Sequence, residues 1–346
     1  MPAVRLRRGL ILSAAFTALA AAAPAGAAAA SVTVTADNGN PVAVTPAAPP
    51  IIRNMTPEVG VAFPPGEGRY TLTVTTANGN AVSRGSGCSS RGALGPYRVD
   101  YAGNGGYLVT VTNFAADDFN CARPLSAERS GFGIVAGTAL AQPTAPFLLR
   151  EPGSFSTNVL SLPVALNPGA DTHEVRFAPN ATVGPDGAIV GNSTKTSADT
   201  TTGMAQLRFE APGVYTVVAR PTRFTAAGEI GAPWSKPVQV IVVAPFDVSG
   251  GLRFLDARGP SYAVRIRLRE KSARGRVSVS LARGKRGGRY RSVGSARISS
   301  SGTVTKRFRA GRAGAYRLRF TFKGTQTIGG GRVTFPIRIA RRISFG

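Results

Sequence analysis

Val264-Arg265-Ile266-Arg267-Leu268-Arg269 alternates an apolar residue with an arginine. A period of two is that of a β-strand, whose successive side chains point to opposite faces. Tyr316-Arg317-Leu318-Arg319-Phe320 and Ile337-Arg338-Ile339 repeat the pattern. The apolar residues share one parity and are expected to face a core, with the arginines projecting away from it.

The same period recurs along the chain. SVTVTA (31–36), RYTLTVTTA (69–77), PYRVDY (96–101), GYLVTVTNF (106–114), VYTVVAR (214–220) and KPVQVIVV (236–243) read as strands, as do YAVRIRLR (262–269), RVSVSLAR (276–283), TVTKRFR (303–309), AYRLRFTF (315–322) and RVTFPIRI (332–339). The 42 Gly and 25 Pro punctuate these runs. Asn78-Gly79-Asn80 is a tight-turn signal, and Asn104-Gly105-Gly106 marks another turn. Beyond the N-terminal segment no long stretch has helical periodicity. The fold class expected is all-β.

Three blocks are expected, at residues 31–141, 147–244 and 246–346. Gln142-Pro-Thr-Ala-Pro146 reads as a linker, and Pro245-Phe246-Asp247 opens the third block. The last two blocks each end in two strands joined by a loop, the closing pattern of an Ig-like or fibronectin-like sandwich. A Gly-x-Tyr opens a late strand in each block, at Tyr107, Tyr215 and Tyr316. A Tyr in that place can form a tyrosine corner, its hydroxyl bonding back to the chain. Gly-x-Tyr also occurs at Tyr70 and Tyr290.

The layout resembles secreted bacterial proteins, of the actinobacterial type, with tandem Ig-like or fibronectin type III-like domains. The resemblance is one of pattern over most of the chain. It implies three β-sandwiches in a scaffold or binding role and transfers no functional residue. A bias of Arg over Lys, 36 to 6, fits a GC-rich genome.

Residues 1–30 read as an export signal. Arg5, Arg7 and Arg8 precede the apolar run Leu10–Ala23, and alanines before Ser31 offer cleavage sites. Arg7-Arg8 leaves twin-arginine export open. No later stretch is long and apolar enough to span a bilayer, and Phe345-Gly346 follow a strand-like run, so no tether is expected in the mature chain. The localisation expected is secreted, extracellular or associated with the cell envelope. In an oxidising compartment Cys88 and Cys121 are expected to form one disulfide.

Charge is placed unevenly. From Ser31 to Pro245 there are 14 basic and 14 acidic residues, whereas from Phe246 to Gly346 there are 25 basic residues against Asp247, Asp256 and Glu270. Nearly all the net charge of the mature chain therefore lies in the third block. Such a field favours anionic partners, and Arg gives bidentate contacts to phosphate and carboxylate. If the arginine-bearing strands share one sheet, their outward side chains form one guanidinium surface. The polyanion-binding candidates are Arg265, Arg267, Arg269, Lys285, Arg286, Arg289, Arg291, Arg317 and Arg319. The partner expected is an anionic envelope polymer or acidic glycan. Dedicated nucleic-acid binding is not expected, because the block has few aromatics to stack on bases and no recognition helix.

No catalytic, metal or cofactor site is expected. The chain lacks G-x-S-x-G, a Walker-type G-K-[ST], H-E-x-x-H and C-x-x-C. Gly131-Phe-Gly133-Ile-Val-Ala136 matches a loose dinucleotide string but has no helix after it. His173, the only histidine, is expected in a turn or at the surface after Pro168-Gly169. Asp117-Asp118 reads as a solvated turn. Trp234 is expected to pack on a sandwich edge, although a ligand-facing aromatic of a carbohydrate module is the alternative. A carbohydrate-binding or adhesive protein, acting through residues 31–245, and a purely structural envelope protein are the competing functional readings.

Overall fold

The computed structural model describes residues 30–84, 87–150, 158–226, 228–256, 261–271, 273–284 and 288–339. The expected export signal therefore lies outside the described residues, apart from Ala30. Lys285, Arg286, Arg341 and Arg342 lie outside them as well.

The described chain is all-β. It divides into two compact units, one ending at Val135 and one running from Ala136. The first unit holds β1 (Ser31–Thr35), β2 (Pro41–Val44), β3 (Ile51–Ile52), β4 (Glu58–Ala62), β5 (Arg69–Thr76), β6 (Ala81–Arg84), β7 (Ala93–Arg98), β8 (Gly105–Phe114) and β9 (Pro124–Ile134). They form a four-stranded sheet, β2-β1-β4-β7, and a five-stranded sheet, β3-β9-β8-β5-β6. Alternate residues go inward: Val32 and Val34 on β1, Leu72 and Val74 on β5, and Tyr107, Val109 and Val111 on β8 are buried. The turn read at Asn78-Gly79-Asn80 joins β5 to β6, with Gly79 at φ +83° and its N–H donating to the Thr76 carbonyl. That positive φ is why a glycine stands there.

Cys88 and Cys121 are bonded, with their Cα atoms 5.6 Å apart. The bridge ties the segment after β6 to the loop between β8 and β9. Both ends lie outside the strands, so it fastens loops and leaves the sheets to their own core.

The second unit begins with β10 (Phe147–Leu148), β11 (Val159–Pro163), β12 (Thr172–Pro179), β13 (Thr194–Ala198), β14 (Met204–Arg208), β15 (Gly213–Thr225), β16 (Gly228–Gly231) and β17 (Val238–Val243). They form one folded sheet, β10-β17-β15-β12-β13-β14-β11, with β16 paired to β15. A single residue pair, Ala198 with Ala205, joins β13 to β14. At that corner the sheet doubles over, and Leu162 and Leu207 pack with Val175, Phe177, Val217 and Val240 in one core. Within the loop expected between VYTVVAR and KPVQVIVV, Gly228–Gly231 is instead a strand, β16, which extends a hairpin with β15. Gln142, in the segment read as a linker, is held by Gln239: its Nε2 donates to the Gln239 carbonyl at 2.8 Å.

The chain continues with β18 (Arg253–Asp256), β19 (Ser261–Arg267), β20 (Arg276–Arg283), β21 (Arg291–Arg297), β22 (Thr303–Arg309), β23 (Gly314–Phe322) and β24 (Gly331–Ile339). These make two sheets, β18-β19-β22 and β21-β20-β23-β24. Val264, Ile266, Val304 and Phe308 from the first share a core with Val277, Val279, Leu318 and Phe320 from the second. Ala244 belongs to this core although it directly follows β17, and its backbone N–H donates to Thr327 while its carbonyl accepts from Gly329.

The three tyrosines singled out by their spacing bond alike. Tyr107 donates its hydroxyl hydrogen to the Gly103 carbonyl at 2.8 Å. Tyr215 donates to Ala211 at 2.9 Å. Tyr316 donates to Arg312 at 2.7 Å. Each bond runs back four residues at the start of a long strand, the geometry of a tyrosine corner. Tyr70 and Tyr290, which also follow Gly-x, differ: Tyr70 stacks on Phe63, and Tyr290 lies under two guanidinium groups.

Candidate functional site

The strand register places each candidate arginine. Arg265 lies opposite Arg253 of β18 and opposite Thr305 of β22, while Ala263 faces Arg307 and Ser261 faces Arg309. Residues directly opposite in an antiparallel pair share a face. Val264 and Ile266, on the other parity, are buried. Arg253, Arg265, Arg267, Arg307 and Arg309 therefore point outward from this three-stranded sheet, and all are exposed. Asp256 is the only acid on its strands.

Arg317 and Arg319 stand on a different sheet. Arg317 lies between Ala282 of β20 and Pro336 of β24, and Arg319 between Ser280 and Thr334. The same outward parity holds Arg276 opposite Arg297, Arg332 opposite Thr321 and Arg338 opposite Ala315. No Asp or Glu occurs on these four strands. Tyr290 covers part of this face. The Arg319 guanidinium carbon is 3.4 Å from its ring centroid and that of Arg317 is 5.3 Å away. The Nε atoms of Arg317 and Arg319 are buried without a hydrogen-bond partner. Stacking restrains two long side chains and leaves the outer guanidinium nitrogens as donors.

The single guanidinium surface pictured for strands of one sheet is thus replaced by two. Side-chain parity fixes inside and outside, and both sets of arginines do point away from the core. Parity carries no information on which sheet a strand joins. Because the two sheets share one core, their outward faces look in opposite directions.

The remaining candidates scatter. Arg269 pairs with Asp247 at 3.2 Å, and both side chains are about half exposed. Its charge is matched locally. Arg291 is exposed but lies opposite the core residue Leu281 on the edge strand, so it is not on the outer face. Arg289 is exposed in the irregular segment before β21. Arg253, Arg276, Arg297, Arg307, Arg309 and Arg332 join the two faces without having been singled out. Alternation in TVTKRFR and RVTFPIRI carried that signal for some of them.

No protein-family model matches the chain, and no curated protein does. Among solved structures it is similar to a segment of two fibronectin type III domains from chicken tenascin, at 14% identity and a TM-score of 0.35, covering 58% of this chain and 99% of that one. It is also similar to a tetra-tandem repeat in the extending region of a large adhesion protein, at 12% identity and a TM-score of 0.37, covering 90% of this chain and 91% of that one. Likeness of that order assigns no functional residue.

A second polar cluster lies on the folded sheet. Glu174 of β12 is buried to 1% exposure, and its carboxylate accepts from Arg176 Nε at 2.7 Å and pairs with Arg220 at 2.8 Å. Lys195 approaches at 3.4 Å. Burial by itself would raise the carboxyl, but hydrogen bonds and charge from Arg176 and Arg220 outweigh it and hold it below its ordinary value. Trp234 packs on Ala178, Ile189 and Val218 and lies against the guanidiniums of Arg220, at 4.5 Å, and Arg176, at 5.2 Å. The tryptophan therefore packs as expected. A shallow cleft nearby is lined by Thr172, Glu174, Lys195, Thr196, Ser197, Phe224 and Glu229.

His173 departs from expectation. It is 2% exposed and sits within β12, between Pro221 of β15 and Ala198 of β13. Its Nε2 accepts the Asn167 N–H at 2.8 Å, and burial pushes its pKa down. The turn at Pro168-Gly169 ends before the strand begins at Thr172, which draws the ring inward. Asp118 behaves as a turn residue, accepting the Arg123 N–H at 2.8 Å. Gly131 and Gly133 fall within β9. Among the described residues no group of three or more His, Cys, Asp or Glu could hold a metal ion, and no helix is long and apolar enough to cross a membrane.

Proposed function

We propose that this is a secreted, non-enzymatic protein of three sandwich blocks whose basic third block binds an anionic polymer of the cell envelope or its surroundings. One observation carries the reading: two rows of outward arginines lie on strands that hold a single acid, Asp256, between them. A merely solvated strand face needs no such exclusion of acids. The first two blocks of the same chain balance their charges to zero. The self-repulsion of the third block is relieved when a polyanion supplies the counter-charge. Three tyrosine corners at matching places support the division into three sandwiches.

The test is retention of the full mature chain on purified cell envelope, with and without arginine-to-glutamine changes at Arg265, Arg267, Arg317 and Arg319. The expected result is loss of most retention in the variant while its thermal midpoint stays near that of the parent. Equal retention by the variant would refute the assignment. The carbohydrate reading is less well supported, because Trp234 already packs against two guanidinium groups.

A further inference from the structure

The two arginine faces are separated by the core they share. Arg253, Arg265, Arg267, Arg307 and Arg309 face one way from β18-β19-β22. Arg276, Arg297, Arg317, Arg319, Arg332 and Arg338 face the other way from β21-β20-β23-β24. Packed sheets stand about 10 Å apart between backbones, and their outer side chains diverge from there. A polymer strand lying along one face does not contact the other.

A protein that held a polyanion by one face would have no use for a second basic face behind it. The second face adds repulsion across the sandwich without adding contacts to the same strand. Charge of one sign on both faces fits two separate ligand strands. Within each face the alternate residues of one strand, such as Arg265 with Arg267 and Arg317 with Arg319, recur about every 6–7 Å. That repeat suits a linear polymer with regularly spaced anionic groups, of the phosphodiester or polyphosphate kind, better than a compact anion.

From this geometry, and resting on the polyanion reading above, we propose that the third block is a bridge: it binds two polyanion chains at once, one on each outer face, and cross-links them.

Capture of one polymer by another tests this. Beads carrying long-chain inorganic polyphosphate are loaded with the full chain, washed, and offered fluorescent polyphosphate in solution. Wild-type protein is expected to capture the label. Two single-face variants, R265Q/R267Q/R307Q and R317Q/R319Q/R332Q, are expected to stay on the beads with a few-fold weaker retention but to lose about tenfold of the captured label, because one of two linked sites is gone. A third variant, R253Q/R276Q/R338Q, removes the same number of charges spread over both faces and is expected to keep most of the capture. Bead retention and thermal midpoint report that each variant is folded.

Single-face variants that capture label as well as wild type would overturn the bridge, since bridging would then come from self-association or from bulk charge. A spread-charge variant that loses as much as the single-face pair would overturn it too. Wild-type protein that stays on the beads yet captures no label refutes the bridge and leaves polyanion binding standing. Wild-type protein that is not retained refutes both.

Discussion

The hydroxyl of Tyr316 donates a 2.7 Å hydrogen bond to the carbonyl of Arg312, four residues upstream, and its ring is buried at 6% exposure. The bond fixes the corner from which β23 departs, and β23 carries Arg317 and Arg319 on its outward side. Tyr215 makes the equivalent bond to Ala211. Tyr107 does more: besides donating to Gly103, its hydroxyl accepts the Ala102 N–H at 3.0 Å. Removing that hydroxyl leaves two backbone groups short of a partner. Tyr215→Phe and Tyr316→Phe should each cost about 1 kcal/mol, and Tyr107→Phe about 2 kcal/mol. Urea unfolding of the three variants checks the order, and equal costs at the three sites would contradict it.

Glu174→Gln should destabilise the second unit by about 2–3 kcal/mol. The carboxylate is buried between Arg176 and Arg220, and the amide would leave both guanidiniums without their counter-charge. The cost is below that of a fully buried pair because both arginines are partly exposed and can rehydrate. The measurement is chemical unfolding of the second unit monitored by Trp234 fluorescence. A loss under half a kcal/mol would mean the pair is solvent-screened.

His173 is expected to give the second unit a pH dependence. Its folded pKa is depressed by burial, and its Nε2 already accepts the Asn167 N–H. A proton there would turn an acceptor towards a donor. The unfolded chain binds that proton near the ordinary histidine pKa of about 6.5, so the contribution is fully present above that pH and is lost as pH falls through it towards the lower folded value. Thermal midpoints should drop between about pH 7 and pH 5, and His173→Gln should flatten that slope. An unchanged slope in the variant would contradict the assignment.

The disulfide acts on the first unit alone. Replacing Cys88 and Cys121 together by serine should cost about 3–4 kcal/mol through the restored freedom of the 32-residue loop. Binding to polyphosphate should be unchanged, since both cysteines lie far along the chain from the arginine strands. Calorimetry and a binding titration on the same preparation separate the two effects.

Much of this architecture was legible in the residues. Period-two alternation located the long strands, and Asn78-Gly79 announced the turn that Gly79 makes at positive φ. The spacing of Tyr107, Tyr215 and Tyr316 pointed to the corner bonds. Sheet membership was not legible. YAVRIRLR and AYRLRFTF carry the same alternation, but β19 pairs with β22 and β23 with β20 and β24. Pairing between distant segments leaves no local trace, so the sequence left open whether the arginines share one face, and the register divides them between two. The same holds for Arg269, paired with Asp247 at a distance in sequence, and for Glu174, which meets Arg220 only through the register of β12 with β15. His173 was misplaced because a nearby turn signal says nothing about how soon the strand begins.

The most direct test of the account is the affinity of residues 31–346 for long-chain polyphosphate at two ionic strengths, with an uncharged glucan of similar length as the comparison. Contacts through exposed guanidiniums are screened as the Debye length shrinks from about 10 Å at 0.1 M salt to about 3 Å at 1 M. The expected result is tight binding to polyphosphate at low salt, at least a tenfold loss at high salt, and no measurable binding to the glucan at either. Binding that ignores salt, or that the glucan matches, would contradict the proposal that the third block binds a polyanion.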